Sequence, residues 1–280
     1  MHLLTINDFL AIENKKDKKI EKSNFKYAFY LLEKEKRIAL SNFYLLCSYL
    51  DNIVDNDEVG LAEKKERMNA WKQTITNMYK ENNTTLVPLR EVFDKYAIPL
   101  ELVLELVEGI SNDLHFNRYN SFDDLLRYCY GVAGVVGLIC MHIFTDNKLN
   151  KNLEQYAINL GYALQLTNIM RDIGEDFTRN YIYIPQELLT QFNYSEQDIA
   201  NHIYNENFYN LMNHLYEKAI YYYSQADFYI KDENKNILKA SEGMKNIYLK
   251  LLLKIKKNNF HIYKKKIKIN NFQKLILCLR

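Results

Sequence analysis

The sequence predicts an all-α protein with one domain over residues 1–280, and three observations carry that prediction. Glycine and proline are scarce, eight and three in 280 residues, too few for the tight turns of a β protein. Leu, Ile, Lys and Glu recur at spacings of three and four, the period of an amphipathic helix. Apolar residues make up 48 % of the chain, enough for one large core, and no low-complexity linker divides it.

The periodicity predicts helices over 24–32, 35–57, 61–82, 87–95, 99–116, 121–145, 150–177, 186–190, 195–201, 205–230, 236–258 and 270–278. Four breaks separate them most sharply. "NNTT" (82–85) and "NRYNS" (117–121) gather turn residues, while "YAIP" (96–99) and "TRNYIYIP" (178–185) each end on a proline. Long helices with short joints describe a helical bundle.

Net charge is +2, unevenly spread. From Lys245 to Arg280 there are 11 Lys/Arg and no Asp/Glu, which leaves 26 basic and 35 acidic groups in residues 1–244. A basic tail containing "YKKKIKI" suits either a solvated face or peripheral association with an anionic membrane. Zinc spacing and RNP-like motifs are absent, so no nucleic acid partner is expected. Cys47, Cys129, Cys140 and Cys278 form no CxxC pair and read as buried reduced thiols. The N-terminus has no secretory pattern, and the longest apolar segment, 132–144, falls short of a bilayer span. The expected location is cytoplasmic. The six histidines show no ligand spacing.

Two acidic pairs stand out. "YLDNIVDN" places Asp51 and Asp55 four apart, and "NIMRDIGEDF" repeats the spacing with Asp172 and Asp176. At about 1.5 Å rise per residue, such pairs share one helical face. Gln165, Asn168, Asp172 and Asp176 continue this as one polar stripe, with Arg171 beside it. Leu160, Ala163, Leu164, Thr167 and Ile169 on the other side are expected to be buried. Carboxylates on an otherwise apolar helix need partners, since desolvating them alone is expensive. Hard oxygen donors at this spacing suit Mg²⁺, and two facing pairs would hold ions that grip a diphosphate as it leaves. The metal ligands expected are Asp51, Asp55, Asn168, Asp172 and Asp176.

Between the pairs lies "YCYGVAGVVG" (128–137), with Gly131, Gly134 and Gly137 at steps of three. Glycine inside a helix costs roughly 1 kcal/mol against alanine. Close approach of a neighbouring backbone, or room for a long apolar substrate, would each account for it. Tyr130 could offer a hydroxyl and a π face suited to a carbocation.

These segments resemble the squalene/phytoene synthase family, the head-to-head isoprenyl diphosphate synthases, and the resemblance covers nearly the whole chain. "YLDNIVD", "YCYGVAGVVG" and "ALQLTNIMRDIGEDFTRNYIYIP" are similar to the family's three signatures, in order. "GLICMHIF", "AWKQTI" around Trp71 and "IYKKKIKINNFQKL" look most similar to the bacterial hopanoid-pathway enzymes that make presqualene diphosphate. The resemblance implies a single α-helical isoprenoid synthase domain around an apolar channel, and Mg²⁺-dependent condensation of two prenyl diphosphates. It assigns Asp51, Asp55, Asp172 and Asp176 to the acidic motifs and Asn168 to the metal. Gln165, Arg171 and Arg179 fall to the substrate, with Tyr44, Tyr130, Tyr183 and Tyr248 as pocket tyrosines.

Four positions depart from the family pattern. Ser48 stands where an arginine is usual, Asn52 where an aspartate is, Tyr181 where a second arginine is, and Asn24 where a serine hydroxyl is expected at the substrate. Two lost arginines weaken phosphate binding, and Lys22, Lys36 and Arg37 are the basic residues near enough in sequence to compensate. The implied reaction joins two farnesyl diphosphates into presqualene diphosphate, with squalene or dehydrosqualene as further products. No dinucleotide fingerprint is present, so NADPH is not evident. Rival readings are a phytoene synthase using geranylgeranyl diphosphate and a non-catalytic relative that assists assembly of a respiratory complex. A terpene cyclase fits "YCYGVAGVVG" poorly.

Overall fold

The computed structural model describes residues 27, 29–80, 86–231, 233, 236–264 and 266–279. Their helices are α1 (Lys34–Asp55), α2 (Leu61–Lys80), α3 (Val87–Lys95), α4 (Leu100–Ser111), α5 (Phe122–Cys129), α6 (Val135–Phe144), α7 (Lys151–Thr178), α8 (Gln186–Gln191), α9 (Glu196–Ala200), α10 (Glu206–Tyr229), α11 (Lys239–Lys257) and α12 (Asn271–Cys278). Among the described residues the extended backbone makes one isolated bridge, between Arg118 and Ile182.

Local chemistry fixes where several helices begin. Asn150, Asn205 and Asn270 each accept the amide three residues on, at 2.9, 2.9 and 2.8 Å, and so cap α7, α10 and α12. Ser121 with Asp124 and Ser195 with Asp198 form reciprocal capping boxes that start α5 and α9. Apart from 24–32, part of which lies outside the described residues and whose residues 30–32 form a turn, the observed helices therefore lie close to the predicted ones.

Two predicted helices are interrupted. The 99–116 segment leaves α-helical geometry at Ser111 for a 3-10 turn, Asn112–Leu114. The 121–145 segment contains a π turn, Tyr130–Gly134, between α5 and α6. The wider turn sets Gly131 against α4 while Val132, Ala133 and Val136 face a cavity.

α7 is the central helix, packed along α10 and against α6, the π turn and α11. Contact this close needs glycine. A Cβ on Gly109 would lie 2.6 Å from the Gly131 carbonyl carbon, and one on Gly161 would lie 2.7 Å from that of Ala133. A Cβ on Gly137 would come within 2.8 Å of the Ala157 oxygen. Backbone approach thus accounts for Gly131 and Gly137. The rod Phe122–Phe144 is, by length and composition, apolar enough to cross a bilayer, because it extends the 132–144 segment through α5. In this fold it is wedged between α4 and α7.

Candidate active site

Helices α1, α6, α7 and α11, with the π turn, enclose a cavity of about 290 Å³. Its lining changes character along its length. Phe29, Leu40, Phe144 and Tyr156 form one end, and Ser48, Asp51, Gln165, Asn168 and Tyr248 form the other. Chain direction produces this gradient. Lys36, early in α1, donates to the Phe144 carbonyl at 2.7 Å, so α1 and α6 run antiparallel. The Gly137–Ala157 and Ala133–Gly161 contacts run α7 antiparallel to α6 as well. The polar C-terminal halves of α1 and α7 consequently meet at one end.

Leu160 and Leu164 line the cavity rather than the far side of α7. The cavity face of α7 is broad, from Ala157 through Leu160 and Leu164 to Gln165 and Asn168, and turns polar only in its second half. Ala163, Thr167 and Ile169 are buried as expected.

Each acidic residue has a distinct environment. Asp51 lines the polar end of the cavity. Asp55, the last residue of α1, is ion-paired with Arg179 just beyond α7. Asp172 takes both arms of Arg171, Nε at 2.8 Å, and Lys266 Nζ at 3.0 Å. Burial pushes its carboxyl up, but these cations outweigh it and hold the group below its ordinary value. Asp176 lacks such contacts. Burial, then the charges of Asp172 and Glu175, raise its carboxyl to about 7.

A fifth acid went unnoticed in the sequence. Asp113, on the turn after α4, is raised to about 7, chiefly by burial and further by the charges of Asp55 and Asp51. Its carboxylate accepts from the Tyr128 hydroxyl at 3.2 Å and the Tyr183 hydroxyl at 3.3 Å, and its carbonyl accepts from Tyr181 at 2.8 Å. Tyr183 stacks on Tyr128 at 5.0 Å and on Tyr181 at 5.9 Å between ring centroids. Tyr183 also feels the charges of both Asp113 and Asp176. The acids of α1 and α7 are thus neighbours across a wall of tyrosines.

The remaining expected residues are placed as follows. Tyr44, Gln165, Asn168 and Tyr248 line the cavity. Tyr183 lies behind its mouth, beside Asp176 and Tyr181. Tyr130 lies apart from the lining, its hydroxyl donating to Glu105 on α4 at 3.1 Å. Arg179 spans Asp55 and the Tyr181 ring, 5.8 Å away. Asn24 and Lys22 are outside the described residues. Lys36 cannot replace the cation lost at Ser48, since it is bound to Phe144 and Asp146 at the opposite end of α1. Lys266, from the basic tail, is the added cation at the acids, paired with Asp172 and Glu175.

Among the described residues no three of His, Cys, Asp and Glu already form a metal cage. Arg171, Lys266 and Arg179 hold the carboxylates instead. The donors still fit a hard divalent ion, because Asp51, Asp55, Asn168, Asp172 and Asp176 offer oxygen. Asn168 Nδ2 donates to Gln165 Oε1 at 3.3 Å, leaving Asn168 Oδ1 buried with no hydrogen-bond partner. A buried carbonyl oxygen left unpaired, and a carboxyl raised by neighbouring anions, are both relieved by a cation.

The chain is similar to known proteins in sequence and in fold. The 15-cis-phytoene synthase of Synechococcus elongatus is 31 % identical over 257 residues, covering 88 % of this chain and 83 % of that protein. The same-named protein of Synechocystis sp. is 29 % identical over 258 residues, covering 88 % and 76 %. Among solved structures, a dehydrosqualene synthase superposes with a TM-score of 0.82 at 22 % identity, covering 98 % of this chain and 96 % of that one. A squalene synthase of Alicyclobacillus acidocaldarius gives 0.81 at 20 % identity, covering 91 % and 95 %, so both share the fold. Residues 19–273, which include both acidic helices and the glycine-bearing rod between them, match the squalene/phytoene synthase family, and to that family the chain belongs.

Proposed function

We propose that the protein condenses two farnesyl diphosphates head to head into presqualene diphosphate, releasing one diphosphate. Its family consists of prenyltransferases that act on prenyl diphosphates. The observation that supports this reading is the gradient of the cavity, apolar for most of its length and acidic at one end.

Mg²⁺, when bound by Asp51, Asp55, Asn168, Asp172 and Asp176, would supply the charge that grips the diphosphate and draws electron density off it as it leaves. Arg171, half-buried beside Asp172, and Lys266 add fixed positive charge at the same end. The C–O bond of one farnesyl diphosphate breaks, and the resulting allylic cation is attacked by a double bond of the second chain. Loss of a proton closes the cyclopropane. Tyr130 and Tyr183 are both off the cavity lining, which favours released diphosphate as the proton acceptor. The apolar walls keep water from the cation, and the rings of Tyr44 and Tyr248 face it near the mouth.

The apolar end of the cavity bears on chain length. Phe29, Phe144 and Tyr156 are buried, bulky and aromatic there, which favours the shorter farnesyl chain. The second reading, two geranylgeranyl chains, is favoured by the names of the relatives near 30 % identity. An assay with Mg²⁺ and equal farnesyl and geranylgeranyl diphosphates, read by mass spectrometry, separates the two. Presqualene diphosphate should dominate, and Asp172→Ala should abolish it. A forty-carbon product alone overturns the chain length, and undiminished product from Asp172→Ala overturns the metal assignment. No product from either substrate points to the non-catalytic relative.

A further inference from the structure

We infer that α12 docks the protein on an anionic membrane surface, its outward apolar face entering the lipid interface and the lysines beside it meeting the headgroups. The proposal is independent of the reaction above, since it concerns the outside of the molecule and is tested without substrate.

α12 is amphipathic in the inverse sense. Phe272, Leu275, Ile276 and Leu279 are exposed by 72 %, 46 %, 38 % and 69 %. At about 100° per residue they fall within one arc of about 100°. Cys278, across the helix, is buried against Gly243 of α11. Leu277 packs inward beside Cys278, and the larger apolar face is left outward for a cover.

Charge identifies the cover. No Asp or Glu occurs from Lys245 to Arg280. The Asn246 amide donates to the Leu277 carbonyl at 3.2 Å, so α11 runs alongside α12, and Lys254 donates to the Lys268 carbonyl at 2.8 Å just before α12. Lys250, Lys254 and Lys268 are exposed there, and among the described residues none is ion-paired with a carboxylate. An apolar stripe flanked by unneutralised lysines is the pattern of an interfacial anchor for anionic lipid, in which the stripe supplies insertion and the lysines supply selectivity. A second copy of the chain would bring the same positive charge against itself. The site also sits close to the cavity, because α11 presents Ala240 and Met244 to the lining and packs α12 on its other side.

The test is sedimentation of the full chain with large vesicles of phosphatidylcholine, with and without about 30 % phosphatidylglycerol, at low and high salt. Binding should be at least about tenfold stronger to the anionic vesicles and should fall at high salt. The double variant Phe272→Ser, Leu279→Ser should lose binding by about tenfold or more with an unchanged melting temperature. The double variant Lys250→Glu, Lys268→Glu should lose about fivefold or more per lysine while keeping the stripe. Failure of the wild type to sediment with anionic vesicles overturns the proposal, as does unchanged binding by both variants. A dimer in light scattering that the serine variant dissolves would assign the face to a second copy. A large drop in its melting temperature would assign the face to the chain's own fold.

Discussion

Arg179, at the C-cap of α7, is ion-paired with Asp55, the last residue of α1, and the pair joins the ends of the two acidic helices. Both side chains are partly exposed, at 41 % and 53 %, so the pair adds little to stability. Its effect would fall on binding, because the guanidinium neutralises a carboxylate proposed as a ligand of the divalent ion. Arg179→Gln should tighten Mg²⁺ binding to the substrate-free protein by up to about fivefold in calorimetry. Unchanged or weaker affinity would show that Asp55 and the ion do not compete.

Lys266 makes the same argument at the second pair, with the opposite outcome for substrate. Its ammonium bridges Asp172 and Glu175 and lies near Arg171, whose charge it feels. With Ser48 in place of an arginine, it is a cation placed to receive a diphosphate once an ion has taken Asp172. Lys266→Ala should raise KM for the prenyl diphosphate by about tenfold, with a smaller change in kcat, and Lys266→Arg should restore most of it. A fall confined to kcat would place the lysine in the chemical step instead.

What was legible in the sequence follows from range. Helix positions and the acidic pairs rest on spacings of three and four, and the caps at Ser121, Asn150, Asn205 and Asn270 act within one turn. Asp113 and Lys266 escaped because their neighbours lie far along the chain. Asp113 meets Tyr183 across 70 positions, and Lys266 meets Glu175 across 91. Tyr130, expected among the pocket tyrosines, has its hydroxyl on Glu105. The π turn, invisible to a 3.6-residue period, aims it at Glu105. The face of α7 was read as polar against apolar, whereas the cavity needs both in succession. Ser48 was legible as a departure, but Lys266, the cation added at the acids, comes from the opposite end of the sequence.

The glycine contacts give a prediction that needs no substrate. A methyl group at Gly161 would press on the Ala133 carbonyl carbon and the Gly134 nitrogen, both 2.7 Å away and both backbone. Neither can rotate aside. Overpacking of this kind costs about 1–3 kcal/mol, against about 1 kcal/mol gained from alanine's helix propensity. Gly161→Ala should therefore destabilise by up to about 2 kcal/mol in urea unfolding. Gly60→Ala, with nothing within 4 Å, is the control free of overpacking. Equal midpoints for the two variants would show that α6 and α7 can separate without loss.

The raised carboxyls of Asp113 and Asp176 make the metal-free protein more stable in mild acid. Both groups are held at about 7 in the fold, chiefly by burial, against 3.8 in the unfolded chain. The folded state therefore binds more protons between those values, and stability falls as pH rises through them. Asp172 is shifted downward, so its contribution is lost only as pH falls below 3.8. His214 works in the opposite direction within the window, since burial lowers its ring and acid then favours the unfolded chain. Comparison with Asp113→Asn removes that background, because the histidine is common to both proteins. In chelator, the melting temperature of the wild type should rise relative to Asp113→Asn as pH drops from about 8 to about 6. Mg²⁺ at the upper pH should narrow the gap by neutralising the same cluster of charge. Parallel melting curves across that range would mean that Asp113 keeps its charge in the fold, and that the tyrosine hydroxyls around it already compensate for its burial.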